Sequence, residues 1–452
     1  MRKNAKTIAF HNLGCKVNAY ETEIMIQNAQ SAGYEIVQFS QISDIYVINT
    51  CTVTNIADRK SRQMLHRARK LNPDAVVVAV GCYVQTGGDK LLKDPLVDIC
   101  IGNNHKGELI QILDDFFKNK KKRAAVVDDL GIPSDYENMT LETLSDRVRT
   151  FVKIQDGCNQ FCSYCAIPLA RGRVRSRAKE DIVAEIQGLI DKGCCEIVLT
   201  GIHVGSYGID LDDKGNTSGD YGGNSRLIDL VEEISQIPGL KRLRLSSVEP
   251  RIITDENAKR LSGLPNLCPH FHLSLQSGCD ETLKRMNRHY TTDVYYESVL
   301  SLRRYFDDPA ITTDVIAGFP GETDEEFAIT AEFLKKVAFS DMHIFKFSPR
   351  KNTKAAAMTD QISEEVKSSR SDVLLDMALG FAKDYMNRHI GKEAEILIEE
   401  EKTIFGKKYM LGHTPDYILV AIPSEGPEPG EFIRVKLTGI LTEEIMSAES
   451  IT

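Results

Sequence analysis

Apolar and polar positions follow three different rhythms along the 452 residues of this chain. From residue 5 to 128, short β-rich runs stand at TIAFHNL (7–13), DIYVINT (44–50), AVVVAVG (75–81) and VDICIG (97–102). Between them lie helical patterns such as Tyr20 to Ala32 and Ile56 to Leu71. Strand alternating with helix predicts a parallel sheet. From 147 to 375 six further runs recur: RTFVKIQ (149–155), CEIVLTG (195–201), KRLRLSS (241–247), HFHLSLQ (270–276), TTDVIAG (312–318) and MHIFKFS (342–348). Amphipathic segments such as Lys179 to Lys192 and Asp324 to Val337 separate them. Six such units predict a partial (β/α)6 barrel with its working loops at the carboxyl ends of the strands. A helical pattern at about 361–389, of which 376–389 is a linker helix, leads into residues 390–452. There EAEILIEE, KKYMLGHT, DYILVAI and EFIRVKLTGI alternate in strand fashion, which predicts a small β-barrel. The expected fold class is α/β in three parts: a parallel sheet domain, a partial barrel and a small β-barrel. Residues 129–146 read as a linker. The stretch GIDLDDKGNTSGDYGGNSR (208–226) reads as an insertion loop.

Composition changes little in this picture. The chain is 42% hydrophobic and 27% charged, which is ordinary for a globular protein. Its net charge of -9 excludes a basic footprint over the whole surface, though not local basic patches. No apolar run approaches the ~20 residues of a membrane span, and the apolar part of MRKNAKTIAFHNLGCKVN is too short for a signal peptide. A soluble, cytoplasmic protein without membrane contact is expected. In that compartment eleven cysteines are poor candidates for disulfides, so their spacing asks for another explanation.

The stretch DGCNQFCSYCAIPLARGRVRSR holds Cys158, Cys162 and Cys165 directly after the first barrel strand. Thiolates this close favour zinc or iron–sulfur. A structural zinc site takes four protein ligands, and no fourth Cys or His is near. A four-iron cubane on three cysteines leaves one iron open to a substrate or cofactor. Three more cysteines, Cys15, Cys51 and Cys82, each follow a strand of the first domain. The carboxyl ends of parallel strands share one edge, where ligands bind, so these three can meet. The competing assignment is three small residues at strand ends by chance.

The spacing C-x3-C-x2-C, with Tyr164 before the last cysteine, resembles the radical S-adenosylmethionine (SAM) signature. LTGIHVGSYG (199–208) and DVIAGFPGET (314–323) resemble SAM-binding turns of that superfamily. LSLQSGCDETLKRMNRHYT (273–291), together with LGCKVNAYETE, NTCTVT and VGCYVQ, is similar to the methylthiotransferase branch. The resemblance covers nearly the whole chain, and the carboxyl-terminal barrel resembles the TRAM domain, a small RNA-binding module. It implies two 4Fe-4S clusters, one on Cys158, Cys162 and Cys165 and one on Cys15, Cys51 and Cys82, each with an open iron. It implies that SAM chelates the first open iron and is cleaved to methionine and a 5′-deoxyadenosyl radical. Gly201, His203, Glu249, Gln276, Arg288 and Gly318 are then candidates for SAM binding. The implied partners are a tRNA anticodon stem-loop, an electron donor such as flavodoxin or ferredoxin, and a sulfur donor.

GCKVNAYETE, TGIHVGSYG and PLARGRVRSR are most similar to the members acting on N6-threonylcarbamoyladenosine. The alternatives are isopentenyl-adenosine in tRNA, a ribosomal protein, or an iron–sulfur RNA-binding protein without catalysis. Leu169 stands where an aromatic is common, and His413 and Pro415-Asp416 replace the usual YTxN of the TRAM domain. Arg171, Arg173, Arg175 and Arg177 follow the cysteine loop, and arginine grips carboxylates and phosphates in bidentate fashion. Arg171, Arg173 and Arg175 are therefore candidate substrate-binding residues. The competing assignment is ion pairing with barrel acids such as Glu180 or Asp181. Arg59, Arg62, His66 and Arg69 share one helix face, which is either solvated or in contact with tRNA. FKNKKKR (117–123) reads as exposed. Cys100, Cys194, Cys195, Cys268 and Cys279 show no ligand spacing and read as buried.

Overall fold

Six parallel strands form the amino-terminal sheet: β1 (Thr7–Asn12), β2 (Glu35–Val37), β3 (Ile45–Thr50), β4 (Val76–Gly81), β5 (Ile99–Ile101) and β6 (Ala124–Val126). Their spatial order is β2-β1-β3-β4-β5-β6. This computed structural model describes residues 6–119, 123–130, 135–144, 148–211, 225–424 and 426–451. Four of the six strands carry the apolar runs expected. The short β2 and β6 have no such run, because they lie at the sheet edges with their residues only partly buried or exposed. All six residues of β3 are buried, as a strand covered on both faces requires. Alternation splits the sheet between two cores. Ile8, Val47, Val78 and Ile99 enter one; Ala9, Tyr46, Ile48 and Val77 enter the other. The first of these cores runs without a break into the central domain, through Val152, Ile154 and Leu199.

The central domain carries β7 (Arg149–Asp156), β8 (Arg175–Ser176), β9 (Glu196–Gly201), β10 (Arg242–Leu245), β11 (His270–His272), β12 (Ala310–Ala317) and β13 (Asp341–Lys346). β7, β9 and β10 pair in parallel, as do β11, β12 and β13. Parallel bridges at Leu243–Leu267 and Val248–Leu273 join the two sets. The six predicted units thus form an open barrel in chain order, with the two-residue β8 added antiparallel to β7.

Helix Glu364–His389, capped by Ser363, leads to a closed barrel of β14 (Glu393–Ile404), β15 (Lys407–His413), β16 (Leu419–Pro423), β17 (Phe432–Thr442) and β18 (Ile445–Ser450). Arginines of the central domain hold it. Arg242 donates to the carbonyls of His413 (2.8 Å) and Glu395 (2.7 Å), and Arg244 to those of Thr414 (2.8 Å) and Pro415 (2.6 Å). Tyr417 stacks between His270 and His413. The segment 413–417, where the sequence departs from the TRAM pattern, therefore faces the central domain. Residues 212–224 of the expected insertion loop, 120–122 of the basic stretch, 131–134 and 145–146 of the linker, and residue 147 after it lie outside the described residues. Among the described residues no helix is long and apolar enough to cross a membrane.

Candidate active site

The local cysteine set is shaped by a backbone crossing. Gly157 follows β7 with φ +68°, and a Cβ there would stand 1.8 Å from the carbonyl oxygen of Arg173. Only glycine fits. Its amide donates to Asp156 Oδ1 (2.8 Å), and the Cys158 amide donates to the Gly172 carbonyl (3.1 Å). Amides also point at the sulfurs: Gln160 N to Cys158 Sγ and Ile167 N to Cys165 Sγ, each at 3.5 Å. Arg288 Nη1 donates to Cys162 Sγ at 3.3 Å. Burial pushes the Cys158 thiol up to about 12 and raises that of Cys165.

Cys158, Cys162 and Cys165 line one cavity at the carboxyl ends of the barrel strands, together with Gln160, Tyr164, His203, Glu249, Ser274, Gln276 and Arg288. Gln276 (φ 71°), which lines it, and Phe161 (φ 50°) and Asn287 (φ 57°), each next in sequence to a lining residue, adopt left-handed backbone. Such strain concentrates where a ligand is held. Two buried polar atoms of residues lining this cavity, Glu249 Oε2 and Gln160 Nε2, have no hydrogen-bond partner among the described residues. An acceptor and a donor of this kind suit a ligand carrying both an ammonium and a carboxylate. The residues present therefore fit a SAM molecule beside a three-thiol cluster. Among the described residues no group of three His, Cys, Asp or Glu is placed to hold a metal ion.

The second set is assembled by the sheet. Cys15, Cys51 and Cys82 follow β1, β3 and β4, which are adjacent in the sheet order. A Cβ on Gly14 (φ +115°) would stand 3.2 Å from Cys51 Sγ. Cys15, Cys51 and Cys82 lie within electrostatic reach of one another and of Arg171. Cys51 is buried, which pushes its thiol up to about 11, and Cys15 is exposed. Asn103, which follows β5 at the same edge, donates to Cys82 Sγ at 3.5 Å and to the Ala170 carbonyl at 2.6 Å. No spacing rule points to Asn103; its signal was position, at the strand end next to three cysteine-bearing ones.

Other expected residues are placed differently. Gly318 (φ +71°) does not line the cavity; the side chain that a Cβ would meet there is Lys367, at 2.4 Å. Gly201 packs on Gln155, whose Oε1 accepts from the His203 amide at 2.8 Å. Of the four arginines, Arg171, Arg175 and Arg177 are buried. Direct substrate contact is thus not what the fold builds for Arg171 and Arg175. Arg171 is enclosed by Glu21, Asp156 and Asn18. Arg175 donates to Asn104 Oδ1 (2.7 Å) and the Arg171 carbonyl (3.0 Å). Arg177 pairs with Glu185, not with Glu180 or Asp181. Arg173 is exposed and lies over the Phe161 ring, 4.3 Å from its centroid. On helix Asn55–Leu71, Arg62 bonds Tyr83, His66 bonds Asp94 and Arg69 bonds Asp98. Arg59, Arg62 and His66 of that face remain exposed. Cys100, Cys194, Cys268 and Cys279 are buried, and Cys195 is half-buried.

Residues 152–334 match the model of the radical SAM superfamily, and residues 7–102 match that of the uncharacterized protein family UPF0004. The chain is 40% identical over 95% of its length to the threonylcarbamoyladenosine tRNA methylthiotransferase MtaB of Bacillus subtilis, covering 93% of that protein. This chain belongs to the radical SAM methylthiotransferase family. The same methylthiotransferase is 38% identical to MtaB of Aquifex aeolicus, over 95% of this chain and 99% of that one. It is 34% identical to the tRNA-2-methylthio-N(6)-dimethylallyladenosine synthase of Moorella thermoacetica, over 97% of both. In fold it is similar to the radical SAM methyltransferase TsrM of Kitasatospora setae, with TM-score 0.53, 16% identity, and 75% and 73% of the two chains covered.

Proposed function

We propose that this methylthiotransferase adds a methylthio group to carbon-2 of N6-threonylcarbamoyladenosine beside the anticodon of tRNA, using SAM and two 4Fe-4S clusters. The observation that carries this reading is the short helix Ile167–Arg171. It begins two residues after Cys165 and ends in Arg171, within reach of Cys15, Cys51 and Cys82. One element thus connects two sets of three thiols. The relatives named for threonylcarbamoyladenosine span 34–40% identity and those named for dimethylallyladenosine 32–34%, which supports the choice of base.

When bound, the cluster on Cys158, Cys162 and Cys165 and its SAM supply a radical able to attack an unactivated C–H bond, for which no side chain offers an acid–base route. The chain's own residues bind and orient. Glu249, through its unpartnered Oε2, takes the ammonium of SAM, and Gln160 offers its amide to the carboxylate. Arg288, fixed by Ser274 and Tyr290, donates to Cys162 and opposes negative charge on the sulfurs. Arg173, exposed beside the cysteine loop, is the cation for the threonyl carboxylate; its Phe161 partner gives a ring on which a base taken out of its stack can rest. An isopentenyl group has no carboxylate and gains nothing from that cation.

The test is nucleoside mass spectrometry after incubating the reduced, reconstituted protein and SAM with each modified tRNA. Methylthiolation of threonylcarbamoyl-tRNA is expected, with at least tenfold less on isopentenyl-tRNA and with Arg173→Met, since a charge-assisted contact contributes about 1.5–3 kcal/mol. Equal rates on the two tRNAs would refute the assignment of the base. Loading with about four iron atoms rather than about eight would refute the second cluster.

A further inference from the structure

Beneath Cys15, Cys51 and Cys82 lies a set of charges that the steps above do not use. Arg171 has no exposed surface. Its Nη1 meets Glu21 Oε1 (2.9 Å) and Asp156 Oδ2 (2.9 Å); its Nη2 meets Asn18 Oδ1 (2.7 Å) and Glu21 Oε2 (3.0 Å). Lys153 Nζ reaches Glu21 (2.9 Å) and Asp156 (3.2 Å), and Lys106 also pairs with Glu21. All five groups are buried. These three cations, with the buried Arg175 3.9 Å from Asp156, crowd two carboxylates, so positive charge is in excess in a place where an unbalanced charge is costly. The nearby carboxyl of Glu137 makes no ion pair with them among the described residues; burial raises it, and the charges of Lys153 and Lys106 oppose that rise without cancelling it. A second observation points the same way. The Nε–H of Arg171 is buried and has no acceptor among the described residues. The groups in electrostatic reach of Arg171 that could supply both the missing charge and the missing acceptor are the three sulfurs.

We propose that Arg171 is the built-in counter-cation and N–H donor of an iron–sulfur cluster held by Cys15, Cys51 and Cys82, and that it sets the cluster's reduction potential. The inference rests on the two-cluster reading above. Three thiolates on a doubly positive four-iron core carry one net negative charge; one electron from a chemical reductant makes it two, with no bond broken. A buried cation and a hydrogen bond to sulfur both favour the more negative state, so both raise the potential. Arg171 is thereby a positioning residue, acting through the cluster and not on tRNA.

The experiment uses the full chain with Cys158, Cys162 and Cys165 changed to Ala, reconstituted with iron and sulfide, so that only the amino-terminal cluster remains. Iron is counted, and the potential is followed by electron paramagnetic resonance during a dithionite titration. Arg171→Met is expected to disfavour reduction at least tenfold, a drop of 59 mV for one electron. Glu21→Gln, which removes a negative charge from the same set, is expected to shift it the opposite way. A general loosening of the fold would not give shifts of opposite sign. About four irons with unmoved potentials in both variants overturns the role of Arg171 and leaves the two-cluster reading standing. Absence of iron from the triple-cysteine background overturns that reading and this inference with it. If Arg171→Met alone retains no iron, Glu21→Gln decides: an upward shift supports the proposal, and no shift or a downward one overturns it.

Discussion

The two cysteine sets reach similar ends by opposite routes. Cys158, Cys162 and Cys165 lie on one loop, and their meeting needs little beyond that loop's turn. Cys15, Cys51 and Cys82 lie tens of residues apart and meet because β1, β3 and β4 are neighbours in a parallel sheet. The first set depends on local backbone, the second on strand order. They also differ in charge. The local set has Arg288 donating to one sulfur, whereas the dispersed set rests on a buried network crossing from helix Lys16–Ser31 to β7 and to helix Ile167–Arg171. A local site is therefore broken by one turn, and a dispersed site by anything that moves a strand end.

The largest effect is expected from Gly157→Ala. The added carbon would collide with a carbonyl oxygen at 1.8 Å in a left-handed turn. Roughly half of the iron should be lost, and 5′-deoxyadenosine release from SAM should stop, while the amino-terminal set still loads. Retained SAM cleavage would show that the loop does not depend on that turn.

Gly81→Ala strikes the other set, with a smaller effect. At φ +97° the new Cβ would meet Asn49 Oδ1 at 2.6 Å and the Thr50 carbonyl at 2.9 Å, displacing the ends of β3 and β4 beside Cys51 and Cys82. The left-handed conformation alone costs about 1–2 kcal/mol. Methylthiolation should fall at least tenfold, with tRNA-independent SAM cleavage within about twofold of wild type, since one tenfold step is about 1.4 kcal/mol. Equal loss of both activities would mean that the two sets are not separable.

The smallest effect concerns the docked barrel, which holds neither set. His389 Nε2 meets Asp416 Oδ2 at 2.9 Å. Burial opposes a charge on His389, but the bond to Asp416, the bond to the Tyr385 carbonyl and the Asp416 charge together outweigh it and raise the imidazole above its ordinary value. Burial likewise opposes the Asp416 carboxylate, and His389 and Thr414 outweigh it, lowering that group. The His389 contribution is complete below about pH 6.5 and is lost as pH rises through the raised value; that of Asp416 is present above about pH 3.9 and lost as pH falls. Melting followed from pH 6 to 9 should decline by roughly 2 °C from this pair, and His389→Gln should flatten that decline. Cluster content should not change across the series.

Some of the molecule was legible without coordinates. The three rhythms of apolar positions determined the three architectures, since strand and helix periods are properties of the local chain. The C-x3-C-x2-C loop was equally plain, because a loop brings its own ligands together. Strand ends marked by cysteine made a shared edge the natural reading of Cys15, Cys51 and Cys82. What only the tertiary structure decided was the fate of the charges. The run from Arg171 to Arg177 reads as a cationic patch, yet Glu21 and Asp156 enclose Arg171, Glu185 takes Arg177, and Arg173 alone of the four is left at the surface. Glu21 lies 150 residues before Arg171, and no local pattern encodes such a pairing. The same holds for His413 to Tyr417, whose backbone carbonyls and rings contact the central domain. Periodicity and ligand spacing are short-range properties that a sequence displays directly. Burial and ion pairing depend on which surfaces meet, and the packing of one domain on another settles that.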